Sequence, residues 1–181
     1  LSTSTSALII ALLGITGTLT SALLTQRSAN SSKMRELEQA DRQRREERAY
    51  QTEQATIESR RTCYVALNIA ARLYQTALTN YFVAVRAGVA TDEIRTDVEE
   101  MRRDHRARHA EAQMLVPDPV LIAAGTVNSH LSNLYGTLRR LDLGSPEPGE
   151  SIEGAEEMRV ESWNLLAEMR TVMRRDLGIT P

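Results

Sequence analysis

Pro119–Asp142 reads PVLIAAGTVNSHLSNLYGTLRRLD, and its spacing decides the fold. Val120, Ala124, Val127, Leu131, Leu134, Leu138 and Leu141 follow one another at steps of three and four, filling seven consecutive seam positions. That period predicts an amphipathic helix over about 119–142 whose apolar stripe must be covered by other elements. Immediately upstream, Val116-Pro117-Asp118-Pro119 ends the preceding segment, with Asp118 expected as N-cap and Pro119 as the first helical residue. Downstream, Gly144–Glu150 (GSPEPGE) is a loop by composition.

The same reading extends in both directions. Ser151 is expected to cap a helix over about 151–177, with Glu153, Glu156 and Glu157 near its start and Arg170, Arg174 and Arg175 near its end. That is the charge order a helix dipole favours. Ile152, Met158, Ser162, Leu165, Met169 and Val172 are its expected buried side, flanked by Trp163, Leu166, Met173 and Leu177. Thr91 caps a helix over about 92–115 with Asp92 and Glu93 in its first turn. Its apolar line runs through Ile94, Val98, Met101, His105, then Arg108 or His109, Ala112 and Leu115. Before it, Tyr64, Leu67, Ala71, Tyr74, Leu78, Tyr81 and Val85 mark a helix over about 62–87, with Ile69, Leu73 and Phe82 widening the stripe and Gly88 ending it. Four helices of matched length joined by short links predict antiparallel neighbours, hence an up-down-up-down four-helix bundle over 62–181.

Residues 26–61 differ in character. Gln26–Ser32 is polar and predicts a brief break, with Ser32 as an N-cap; Lys33–Arg61 mixes charges of both signs with few large apolar residues. Glu38→Arg42 and Asp41→Arg45 are acid-to-base pairs in the favourable order. A solvated stalk helix is expected, with Tyr50, Ile57 and Tyr64 hinting at a seam in its distal half.

Upstream again, residues 7–25 are uncharged, after a short tail at 1–6. Ala7–Leu24 reads ALIIALLGITGTLTSALL, about the 20 residues that an α-helix needs to cross a bilayer. Ala7, Ala11, Gly14, Thr18, Ser21 and Thr25 form a heptad seam of small side chains, which lets helices approach closely in lipid. A cleaved signal peptide fits less well, because Leu1–Ser6 has no charged side chain. Arg27, Lys33, Arg35, Arg42, Arg44 and Arg45 follow the apolar run, so the positive-inside rule places the N-terminus outside and the bulk in the cytoplasm. The fold expected is therefore all-α: a single N-terminal transmembrane helix, a long charged stalk helix and a C-terminal antiparallel four-helix bundle, in the cell membrane as a single-pass protein.

Composition narrows the function classes. Of 181 residues 41% are hydrophobic and 25% charged, values of a foldable chain, and net charge is −2, so nucleic acid is not an expected partner. Lys33 is the only lysine among 22 basic residues, a skew that fits a GC-rich genome rather than arginine chemistry. No Gly-rich phosphate loop, nucleophile elbow or kinase signature is present, so no catalytic residue and no cofactor is expected.

Two weaker candidates remain. His105-x-x-x-His109 places two imidazoles one turn apart, and His130 is a third candidate metal ligand, but arginines intervene and no Glu-x-x-His pair accompanies them. If His105 lies in the bundle, its protonation is expected to perturb packing near pH 6.5. Arg102, Arg103, Arg106 and Arg108 form a basic patch, expected to pair with Glu99, Glu100, Asp104 and the glutamates of the fourth helix. Cys63 lacks a partner motif and is expected to be a small buried residue.

This layout, with the closing Met169-Arg170…Met173-Arg174-Arg175-Asp176-Leu177-Gly178, resembles small uncharacterised membrane proteins of actinobacteria. The resemblance implies membrane attachment and carries over no functional residue. The function expected is that of a non-enzymatic scaffold or adaptor that contacts membrane lipid, forms a homo-oligomer through its apolar helix and stalk, and presents the bundle to a protein partner. The alternatives are a membrane-active pore-forming or defence effector, and a soluble ring or filament in which the apolar helices bury one another.

Overall fold

A computed structural model describes the backbone of residues 2–179 and the side chains of residues 33–179. The described chain is all-helical: α1 (Ser2–Ala87), α2 (Asp92–Leu115), α3 (Asp118–Asp142) and α4 (Ile152–Asp176), with no strand among the described residues. It divides into two compact units, Leu1–Gln54 and Ala55–Pro181. Ala7–Leu24 and its small-residue seam lie outside the described side chains; among the described residues no helix is long and apolar enough to cross a membrane.

In the first unit, the described side chains from Lys33 onward are exposed except Ala40. Gln26–Ser32, with the expected break and Ser32 cap, lies outside the residues whose side chains are described. Tyr50 is 63% exposed. It has no cover on the hinted seam.

The second unit is compatible with a helical bundle, and its core is a single apolar cluster to which all four helices contribute. Neighbouring helices run in opposite directions. Tyr64, early in this part of α1, donates to Asp176 at the end of α4, while Arg86 late in α1 lies 3.9 Å from Glu156 early in α4. Arg95 near the start of α2 reaches Asp142 at the end of α3, and Tyr135 donates to Glu99. Between α3 and α4, Glu150 accepts from Thr137 and Arg140.

The punctuation is local chemistry. Thr91 and Ser151 act as expected, accepting from the backbone N–H of Ile94 and Gly154. At α3 the expected cap shifts by one residue: Pro117 is the N-cap, without a side-chain bond, and its carbonyl accepts from Val120 and Leu121. Asp118 is thus the first helical residue, one earlier than expected, and Pro119 the second. Gly88, Gly144 and Gly178 each take φ near +68°, closing α1, α3 and α4, and the residue after each donates its N–H to a carbonyl five residues back; Val89 N–H to Ala84 is one of these.

The α3 seam is buried as read, with Leu141 at its edge. On α2, His109 rather than Arg108 turns inward, and Leu115 is exposed. On α4, Ser162 and Met169 are buried as read, but part of the face is shifted by one position. Ala155, Leu166 and Met173 are buried, Leu165 and Val172 lie at the edge, and Trp163 is exposed. On α1, Ile69 and Leu73 do not widen the stripe, because they face outward; the buried shoulder is instead Cys63, Ala70, Ala77 and Ala84. Cys63 is close enough to α2 for Glu111 and Arg108 to influence its thiol.

Candidate functional site

The buried polar residues are the natural place to look for chemistry. His105 lies on the inner face of α2, 1% exposed, with its ring centroid 5.6 Å from that of Tyr74 on α1 and 6.4 Å from that of His109 one turn on. Among the described residues neither ring nitrogen of His105 has a hydrogen-bond partner, and neither does Nε2 of His109. Burial, with a smaller push from His109, lowers the His105 pKa to about 4; burial lowers that of His109 as well. Both imidazoles are neutral at pH 7, so the expected titration of His105 near pH 6.5 does not take place in the folded chain.

His130 is elsewhere. Its Nε2 lies 2.7 Å from the carbonyl oxygen of Met158, which can only accept, so that nitrogen carries the proton. The three histidines of the sequence are therefore not brought together. Among the described residues no three His, Cys, Asp or Glu side chains converge as metal ligands.

An open cleft of about 700 Å³ lies between α2 and α3, lined by Asp92, Arg95, Thr96, Glu99, Glu100, Arg102, Arg103, Tyr135 and Arg139. It is a set of ion pairs. Arg95 bridges Asp92 and Asp142, with Nε 2.7 Å from Asp142 Oδ2, and Tyr81 donates to the same oxygen from the core side. Glu99 accepts from Tyr135 at 2.9 Å and Arg102 at 3.1 Å, while Arg103 stands 3.6 Å away. Arg102 also stacks over the Tyr135 ring.

Electrostatics favours ionised carboxylates and protonated phenols in this cleft. The Asp142 carboxyl is held below its usual range, first by Arg95. Partial burial opposes ionisation of Glu99, but the Tyr135 hydroxyl and Arg102 outweigh it and lower its pKa. Tyr81 and Tyr135 are raised, first by burial and then by their carboxylate partners, so both phenols stay protonated.

The basic patch is largely neutralised on its own helix. Arg102 and Arg103 meet Glu99, and Arg108 meets Asp104 and Glu111; the fourth-helix glutamates expected as partners are not used. Burial raises the Cys63 thiol pKa, with Glu111 adding to it, which fits a small packed residue.

Sequence reading missed the tyrosine anchors. Tyr64, Tyr74 and Tyr81 are read as apolar seam residues, yet their hydroxyls reach Asp176, the Leu131 carbonyl and Asp142. Their seven- and ten-residue spacing gives no sign of acceptors 57 to 112 positions away. Buried Gln75, which follows Tyr74, was also unread; its Nε2 donates to Thr79. Compared with known protein families, curated protein sequences and solved structures, the chain matches none of them.

Proposed function

We propose that the chain is a non-enzymatic, membrane-anchored helical scaffold that self-associates, with Ala7–Leu24 in the bilayer and an antiparallel four-helix bundle on the cytoplasmic side as its partner-binding part. The observation that supports this most is the exposure of α1 from Lys33 to Ser59, where only Ala40 is partly covered. A helix of that length with no packed face is marginal in isolation, and association with other chains is the usual remedy. The small-residue seam from Ala7 to Thr25 supplies a second contact of the same kind, inside lipid.

Carbonate extraction followed by native mass measurement tests this reading. The full chain is expected to stay with the membrane and to run as an oligomer in mild detergent, and Gly14→Leu with Thr18→Leu is expected to shift it toward monomer. Release by carbonate, or a wild-type monomer, would overturn it. Dye leakage from vesicles carrying the pure protein would favour a pore-forming role instead.

A further inference from the structure

The outer face of α1 in the second unit carries a seam that the chain does not use. Thr62, Ile69, Thr76 and Val83 recur every seven residues. Four positions after each stand Ala66, Leu73, Asn80 and Ala87. None is charged, and the large apolar residues on this face, Val65, Ile69, Leu73 and Val83, are between 49% and 53% exposed. On the solvent side of a charged bundle, seven turns without a charge along one line are unusual. The single tryptophan, Trp163 of α4, stands beside this face under the Arg72 guanidinium, 5.8 Å from its ring centre.

We propose that this face is where a second copy of the chain docks, α1 against α1, in parallel about a two-fold axis; the proposal rests on the self-association reading and gives it a place. Two properties point to a second copy rather than to an unrelated apolar partner. The seam has polar members, Thr62, Thr76 and Asn80, and symmetric parallel pairing sets each beside its own counterpart. Asn80 then meets Asn80 of the second copy, the arrangement by which one seam asparagine fixes register in paired helices. A wholly apolar partner would leave that amide unpaired.

The charges flanking the seam choose the direction. On one shoulder Glu93, Asp97 and Glu100 of α2 line a groove with Asn80. On the other stand Arg72, which has no ion-pair partner among the described residues, and Arg86, 3.9 Å from Glu156. A two-fold axis along α1 brings the acidic shoulder of each copy against the basic shoulder of the other. An axis across α1 sets like against like. The parallel pair also delivers the N-terminal end of this part of α1 to the same side in both copies, as two chains anchored in one bilayer require. A seam of this length falls at the small end of stable interfaces, which take about 800 Å² from each partner. The flanking charges therefore matter for specificity.

The test uses the full chain in mild detergent with Cys63→Ser, adding one cysteine at a time as Thr76→Cys, Val83→Cys, or Ala107→Cys on the exposed face of α2. Mild oxidation is expected to give a disulfide-linked dimer for the first two and not for the third. Adding Leu73→Arg to the Val83→Cys chain is expected to cut its dimer yield at least tenfold while helical circular dichroism stays the same. Failure of both α1 cysteines to cross-link, or equal cross-linking at Ala107→Cys, overturns the inference. Strong quenching of Trp163 by brominated lipid without cross-linking assigns the face to lipid and overturns it too. An oligomer by native mass without the α1 cross-link leaves the scaffold reading intact and removes only this interface. A cross-linked dimer released by carbonate removes the membrane anchor and keeps the interface.

Discussion

His105 shows how one side chain sets a pH limit on the whole fold. In the unfolded chain it binds a proton near pH 6.5, whereas in the core, against Tyr74 and His109 and one residue after Asp104, it resists until about pH 4. Between those values the unfolded state holds more protons, so stability is full above pH 6.5 and falls as pH drops toward 4. Chemical denaturation is expected to give one free energy at pH 7 and 8 and about 2 kcal/mol less at pH 5. The depressed carboxylates act lower: Glu150, held to about 2 mainly by Arg140, and Asp142, held down by Arg95, contribute stability that is lost only as pH falls below the ordinary carboxylate range. Substituting His105→Leu removes an imidazole without partners. It is expected to be neutral or stabilising by about 1 kcal/mol at pH 7 and to flatten the pH 7 to 5 profile. A slope that survives the substitution would place the titration elsewhere.

At the scale of the element, most of the pattern was legible and its shoulders were not. The α3 seam reads directly because seven positions agree, and substituting Leu134→Ala, fully buried at its middle, is expected to cost about 2–5 kcal/mol in equilibrium unfolding. The caps read directly too. Ser151→Ala is expected to cost about 1 kcal/mol and Ser151→Asp nearly nothing, since either wild-type or aspartate oxygen can hold the Gly154 N–H. What could not be read is which side of a stripe has a neighbour. On α1 the larger Ile69 and Leu73 look like core, yet they face outward, and the small side chains of Cys63, Ala70, Ala77 and Ala84 are buried instead. That seven-residue run of small side chains was the available signal. On α4, adjacent Leu165 and Leu166 are equal in hydrophobicity, and only the packing of the whole unit decides that Leu166 turns inward. The metal candidates failed for a related reason: His105 and His130 sit on different helices at positions whose facing direction depends on the whole packing.

For the whole molecule, the two compact units differ in what protects them. Residues 33–54 are a helix rich in exposed arginine, whereas the second unit shares one apolar core. Cleavage requires local opening, which an uncovered helix allows far more readily than a packed one. Brief trypsin treatment is therefore expected to cut among Arg35–Arg48 and leave a fragment that runs from about residue 49 to the C-terminus, identified by intact mass. Cutting within α2 or α3 at the same rate would contradict the division.

The bond between Tyr64 and Asp176 spans 112 positions of sequence. A ribosome working at about 5–20 residues per second needs on the order of 6–22 s to make that stretch. Throughout that interval the inner face of α1, with Leu67, Tyr74 and Leu78, is synthesised but lacks the helix that completes its cover. The loop before α4 is tied to α3 by Glu150 across ten residues, so α3 and α4 can pair as soon as both have emerged. Helix α1, synthesised before the other three, is thus fully enclosed only once α4 has been made.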